Sequence, residues 1–576
     1  MKKSPKDGET EKKISVAAVT GFVLSAVFLI VSVIAWMNIY SFSDAEDSAS
    51  VWMNLFRISL AGTVAALIAS AAGVVISKVK DRNGKEIGVT GIITSAVGIA
   101  ANIAAYAIFL NMVAGSVAVG NPQDNTGPEE TEPTSGRNYF METTIPDDIT
   151  PEIMTCIYGY GPEHITLWSY MDEVPSMVEM YVGLHPEFAE KYSVECTILT
   201  TDYNYQKALD NALTGGGDEA PDIYVVEASY ATKYTKGSMS EYAAAYEDLG
   251  IDVETKIMEA DIASFIVDVG SRSGEVVGLS YAANSGAMIY RASIAREVFG
   301  TDDPVDIERL LGGGSGSWDK FWIAAEMLKS YGYPIVTGSE EVWMVMEGNA
   351  ESGWITEDGA LFVDPRREEF LDYAKDIRTN NWSNNARVWS DQWYTDMCDE
   401  NGCFCFFGPY WMIQYIMSGW STTGKGAGTF GDWRVCTPPE GFFWGGSWLL
   451  ANRDTDNKEG VAELLEWFTL DFSDTGLQYY LANGVLGDGY KDTVASNTVM
   501  RMCDGSDPFC GGQDVFPVFA ECSYFASGMV FSEYDELIGA IWVYEAYEYA
   551  EGHIKRNDVI NVFTNDVYSE LKLGQG

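Results

Sequence analysis

From residue 165 onward the apolar positions switch between a period of two and a period near 3.6, and the switches predict the elements. ITLWSY at residue 165 reads as a strand, because β-branched and aromatic residues fill it. Apolar residues at helical spacing then predict one long amphipathic helix over about 174–191. SVECTILT is a second strand and 205–213 a second helix. APDIYVVEAS is a third strand that ends in polar residues, before a helix reaching toward Lys236. Strand, helix, strand, helix, strand at these distances predicts a parallel sheet covered by helices. Ligands bind at the carboxyl ends of such strands, here residues 169–173, 201–203 (with Tyr203) and 227–230.

The stretch VGLSYAANSGAMIYRASIAREVFGTDDP, residues 277–304, is the one around which the rest of the chain is organised. It predicts a strand running into Tyr281, a polar crossing at 282–285, a second strand near 287–290, and a helix with Ala295, Val298 and Phe299 at helical spacing. A polar segment between two apolar runs suits a chain passing from one lobe to another, and a cleft lies where it passes. Ser317 is placed as the N-cap of the next helix. NGCFCFFGPYWMIQYIM predicts a strand entering a helix with Pro409 in its first turn. GDWRVCTPPEG is a strand and a turn, FFWGGSWLLANRD a return strand, and KEGVAELLEWFTLD an amphipathic helix beside it. The last hundred residues are helical and rich in Tyr and Trp.

The first 120 residues have a different pattern. Three uncharged runs, at about 14–43, 58–77 and 87–115, are each long enough to span a bilayer, at about 20 residues per helix. Lysines precede the first run and crowd the loop at 78–85, whereas the loop SDAEDSAS is acidic. The positive-inside rule therefore puts the N-terminus inside and everything after the third span outside, a multi-pass protein with an extracellular domain. Residues 121–150 (NPQDNTGPEETEPTSG at their core) have the composition of a disordered acidic spacer.

Charge and chemistry narrow the function. Of 576 residues, 84 are acidic and 36 basic, a net charge of -48 that repels phosphate backbones and excludes nucleic acid. With 47% hydrophobic residues the chain still forms packed cores. Three histidines make a Ser-His-Asp site improbable, and no segment resembles a glycoside hydrolase, so no catalytic residue is assigned. GKGAGTFG precedes a strand and opens no helix, which argues against a dinucleotide loop. Cys503 and Cys510 are spaced to close a small disulfide loop. Cys398, Cys403 and Cys405 cluster without a histidine or CxxC, so neither a metal nor a cofactor is assigned. Trp318, Trp322, Trp467 and Trp542 fall on helical faces and are expected in the core.

Five segments, LWSYMDE, PDIYVVEAS, LSYAANSGAMIYR, FFGPYW and WGGSWLLANRDTDNKEGVAELLEWF, fall in the order found in the family-one extracellular solute-binding proteins of carbohydrate ABC transporters. The chain resembles that family over about residues 165–572. The resemblance implies a two-lobed α/β periplasmic-binding-protein-like fold of type II. Lobe 1 would hold about 151–281 and 447–500, lobe 2 about 285–444, with C-terminal helices (about 515–576) packing across both. It implies a carbohydrate ligand, an ABC permease as partner, and no enzymatic activity. A surface receptor or sensor uncoupled from transport is the alternative. Sugar-binding groups are carried to Trp168, Tyr170, Asp172 and Glu173 after the first strand, and to Glu227, Ser229 and Tyr230 after the third. Tyr281 and Asn284 fall at the crossing, Tyr410 and Trp411 at the second-lobe helix start, and Trp444, Gly445 and Gly446 at the return strand.

Overall fold

The computed structural model describes residues 153–199, 202–356, 359–419, 428–486 and 489–571, and the side chain of Tyr203 lies outside them. The chain divides into two units, Met1–Glu132 and Pro133–Gly576, and everything described belongs to the second. The three expected spans and the spacer lie outside the described residues. No helix among the described residues is long and apolar enough to cross a membrane.

Six strands form the first sheet: β1 (Ile153–Gly159), β2 (Glu163–Ser169), β3 (Tyr192–Leu199), β4 (Ile223–Glu227), β5 (Gly278–Ser280) and, far along the chain, β9 (Ser447–Ala451). Their order is β1-β3-β2-β4-β9-β5. β3, β2 and β4 run parallel, as the alternation with helices requires. β9 returns antiparallel to β4 and β5, so the sheet is mixed rather than wholly parallel. Helices α1 (Glu173–Leu184), α2 (Pro186–Lys191), α3 (Asp202–Gly215) and α4 (Ala228–Thr235) make the crossovers.

Two expectations change here. The single helix over 174–191 is interrupted at His185, which leaves the helical region (φ -120°, ψ 79°) because Pro186 comes next. β1 is not predicted by the apolar pattern, although it pairs with β3 along its length, Ile153 opposite Leu199. It is an edge strand with Ile153 and Ile157 62% and 60% exposed, so it lacks the buried/exposed alternation that marks a half-buried strand.

The second sheet holds β6 (Ala287–Arg291), β7 (Cys405–Gly408) and β8 (Trp433–Cys436), ordered β8-β6-β7 and antiparallel throughout. Alternation along these strands separates two cores. Ala287, Ile289, Phe406, Trp433 and Val435 join the core of the first lobe, while Met288, Tyr290, Phe407 and Cys436 face the second. α5 (Ala292–Phe299), α6 (Asp319–Tyr331), α7 (Ser339–Met346) and α8 (Pro365–Asn380) cover that second face.

The chain crosses between lobes at 281–286 and returns at 437–446. The two crossings are bonded to each other: Gly286 N donates to Phe442 O (2.8 Å) and Trp444 N to Asn284 O (3.1 Å). α9 (Lys458–Thr469) then packs on the first sheet through Leu464, Leu465 and Phe468. Among the C-terminal helices α10 (Phe516–Ser523) packs in the first core, whereas α11 (Asp535–Glu551) and α12 (Arg556–Glu570) bury Ile538, Trp542 and Phe563 in the second. All the cysteines are free, so Cys503 and Cys510 close no disulfide loop; Cys503 Sγ accepts from Asn483 Nδ2 at 3.2 Å.

Candidate functional site

The crossings stand between two cavities at the mouth of the lobes, one of about 650 Å³ and one of about 580 Å³. Glu227 and Gly445 line both, so the cavities are neighbours across a narrow wall. Glu227 ends β4 and caps α4, its Oε2 accepting from Ser229 N at 2.9 Å and from the Ser229 hydroxyl. Gly445 (φ 75°) and Gly446 (φ 121°) have backbones that side-chain-bearing residues rarely adopt, and a Cβ on Gly446 would lie 2.9 Å from Asn284 Nδ2. Glycine here lets the return crossing press against Asn284, itself at φ 51° and 5% exposed.

The larger cavity takes Ser229 from the first lobe, Glu340 and Trp343 of α7 from the second, and Trp444 from the crossing. The smaller takes Tyr170, Asp172 and Glu173 from the turn after β2, Tyr281 and Asn284 from the first crossing, and Trp411 from the second lobe. Trp411 precedes a π-helix (Met412–Met417), a distortion that often accompanies functional sites. Tyr281 donates to Glu173 Oε2 at 2.7 Å, and Tyr170 Oη is bonded to Ser447 Oγ at 2.7 Å.

Trp168, Tyr230 and Tyr410 line neither cavity. Trp168 packs partly buried against the first core, and its carbonyl accepts from the Tyr205 hydroxyl at 3.1 Å. Tyr230 is 5% exposed within a group of tyrosines that includes Tyr170 and Tyr234. Tyr410 is 1% exposed and donates to Asp507 Oδ2 at 2.7 Å. Each sits at a strand end or helix start, as a ligand contact would, but points inward. Trp318 and Trp542 are fully buried and Trp467 nearly so, and all three belong to the cores; Trp322 packs partly buried against the second.

Trp389 completes the site, and the apolar pattern does not single it out. Its ring is parallel to Trp411 (11°, centroids 6.4 Å apart) and 5.5 Å from Trp444, while Trp411 and Trp444 are 5.0 Å apart. The three tryptophans form an aromatic wall where the cavities meet. Trp411 is held by its indole N–H donating to Trp444 O at 3.1 Å. The available signal is Trp389's position just before Ser390, whose hydroxyl caps the next helix by accepting from Trp393 N.

Acidic groups dominate both cavities. In the larger one Glu347 is raised to about 8, chiefly by burial and then by the charge of Asp535, with Arg367 opposing. Arg387 donates to Glu340 at 2.7 Å. In the smaller one Asp492 is raised to about 7 by burial and by Glu173, and Glu173 is itself raised by burial against the hydrogen bond from Tyr281. Asp492, in the unremarkable run KDTVAS, carries no sequence signal. Among the described residues no three His, Cys, Asp or Glu side chains are grouped to hold a metal ion.

The fold recurs in solved structures. An extracellular solute-binding protein of family 1 superposes with a TM-score of 0.59 at 16% identity, covering 71% of this chain and 100% of its own. The galacto-N-biose/lacto-N-biose I-binding protein of an ABC transporter from Bifidobacterium longum gives 0.53 at 16%, covering 72% and 99%. The sugar-binding protein of Xanthomonas citri gives 0.54 at 13%, covering 72% and 100%. These likenesses establish the two-lobed architecture. No curated protein sequence matches the chain. The sequence profile of the bacterial extracellular solute-binding proteins matches residues 184–478, more than half of the chain, and runs through both lobes and both crossings. The protein therefore belongs to the bacterial extracellular solute-binding protein family.

Proposed function

We propose that the chain captures a carbohydrate between its lobes and presents it to an ABC permease, tethered to the outer face of the membrane by its N-terminal spans. The observation that carries this reading is the wall of Trp389, Trp411 and Trp444 where two cavities meet, flanked by carboxylates and Asn284. A pyranose has an apolar C–H face and a rim of hydroxyls. Indole rings take the face, and carboxylates and amides bond the rim. The Bifidobacterium and Xanthomonas relatives are binding proteins for galacto-N-biose/lacto-N-biose I and for sugar, respectively, which supports the same ligand class. Because the lining comes from both lobes, bound ligand favours their closed arrangement, and the closed form is the one a permease would read. A tether would raise the effective concentration of the domain beside that permease.

Calorimetric screening of mono- and oligosaccharides against the purified full-length chain tests the ligand class. With a ligand in hand, Trp411→Ala should weaken binding by roughly 1–3 kcal/mol, one stacking platform and its buried area, without a comparable loss of thermal stability. Unfolding of the variant with residual affinity intact would move Trp411 into the core and remove the reading.

A further inference from the structure

The smaller cavity is more specific than a sugar cleft needs to be. Asp172, Glu173, Glu227 and Asp492 line it, and no lysine, arginine or histidine does among the described residues. The groups acting on Asp492 and Glu173 are Glu173, Asp172, Tyr281 and Thr493, and none is cationic. Lys491, next in the chain, points elsewhere and donates to the Asp504 carbonyl. Aromatic rings complete the walls: Trp411, Tyr281, and the pair Tyr415 and Tyr490 with centroids 5.5 Å apart. Tyr415 and Tyr490 are 54% and 46% exposed, large rings held open at the mouth. Asn284 gives an independent sign that something is meant to sit here. It is 5% exposed, it faces the cavity, and its side-chain amide makes no hydrogen bond among the described residues. An amide at the cavity wall with no protein partner leaves its donors and its acceptor for a ligand.

We propose that this cavity seats a protonated amine of the ligand, between Glu173 and Asp492 and under the rings of Trp411, Tyr415 and Tyr490, so that the carbohydrate captured is an amino sugar with a free ammonium group. The proposal rests on the saccharide reading. Carboxylates attract the ammonium, ring faces add cation–π attraction, and Asn284 is left for a neighbouring hydroxyl. Desolvation and the neighbouring Glu173 raise Asp492 to about 7, so near neutral pH it holds a proton part of the time, and a bound ammonium expels it. A divalent cation fits less well, because no metal-holding group of three acidic side chains is present among the described residues.

The test is calorimetry on the full-length chain at about pH 6. The probes are glucosamine- and galactosamine-containing mono- and disaccharides, their N-acetylated forms, their neutral hydroxyl counterparts, and spermidine. The amino forms should bind about tenfold more tightly than both relatives, a preference that salt reduces. Asp492→Asn keeps the hydrogen bond that Asp492 Oδ1 accepts from Thr493 N at 2.7 Å. It should abolish most of that preference. Tyr490→Leu, at an exposed position, should cut the preference a few-fold with no loss of thermal stability. Near pH 7 the native chain should release protons on binding the amine, and Asp492→Asn should release fewer. Equal or tighter binding of the acetylated or neutral forms, or an unchanged preference in Asp492→Asn, overturns the ammonium site and leaves the saccharide reading standing. Binding of spermidine alone keeps the ammonium site and removes the saccharide. Binding of none of the probes overturns both.

Discussion

Trp389 holds a conformation that works against folding. At φ 68° its Cβ crowds its own carbonyl, a strain of about 1–3 kcal/mol for a bulky residue, which the packing of its half-exposed ring against Trp393, Trp411 and Trp444 offsets. What the strain achieves is a ring parallel to Trp411 and open to the larger cavity. Trp389→Gly relieves the backbone and removes the ring, so we predict stability within about 1 kcal/mol of the native chain and affinity lower by roughly 1–3 kcal/mol. Thermal denaturation and calorimetry on the same preparation check both, and a large stability loss at unchanged affinity would make the residue structural. Trp467 should behave in the opposite sense. It is 4% exposed, packs against Tyr181 and Phe468, and donates to Thr475 O at 2.9 Å. Trp467→Ala should cost about 3–5 kcal/mol of stability with ligand affinity nearly unchanged. Side-chain type tells the two tryptophan roles apart only in part. Helical spacing identifies Trp467, Trp318 and Trp542 as core, because a helix face repeats. Trp168 and Tyr410 depart from expectation because an element end constrains position along the chain but not the direction in which the ring points.

Elements are more legible than residues wherever burial imposes a period. β4 and β9 are buried on both faces or nearly so and read as continuous apolar runs, and β6 lies within one residue of its expected place. β1 is illegible because an edge strand is half in water and keeps no period. The break at His185 is visible in principle, since Pro186 comes after it, but apolar spacing continues across it. The polar crossing at 282–285 is legible as a gap between strands. That the return crossing bonds to it is not, because the pairing joins residues some 160 positions apart. The pairing has a consequence at Gly286, where a Cβ would lie 1.9–2.3 Å from atoms of the Phe442 ring on the other crossing. An aromatic ring packed at 3% exposure cannot give way by that much. We predict that Gly286→Ala costs about 1–3 kcal/mol or more, and that Phe442→Leu in the same chain recovers part of the loss because a smaller side chain vacates the space. Additive losses in the double variant, read from denaturant melts, would show that the two crossings do not press on each other.

At the scale of the whole molecule the acidity has two parts with different physics. The net charge of -48 is mostly solvated and acts through mutual repulsion, which salt screens. A smaller set of carboxyls is buried or lines the cavities half-buried. Glu341, fully buried, accepts from Phe407 N at 2.8 Å and Trp393 Nε1 at 2.6 Å, yet burial still carries it up to about 8. Glu347 is also raised to about 8 and Asp492 to about 7, and burial raises Asp396, Asp535 and Glu440 as well. In the unfolded chain all of these titrate at roughly 4. Between that value and their folded values the native state binds more protons than the unfolded state, so stability falls as pH rises. The contribution is complete below the unfolded values and is lost by the time pH passes the folded ones. We therefore predict a melting temperature that is highest in mild acid, near pH 5, and drops by several degrees toward pH 8. Surface repulsion pushes in the same direction, and two measurements separate them. Added salt at about 0.5 M should shrink the surface part and leave the drop from the buried groups. Glu347→Gln should flatten the profile, because Glu347 makes no side-chain hydrogen bond among the described residues, and its replacement removes a half-buried acid that desolvation and Asp535 hold back from ionising more than Arg367 favours it. Its stability gain over the native chain should therefore be larger near pH 8 than near pH 5. A native profile that stays flat, or that rises toward alkaline pH in high salt, would mean that water reaches these carboxyls and that the cavities they line are more open than the packing around them indicates.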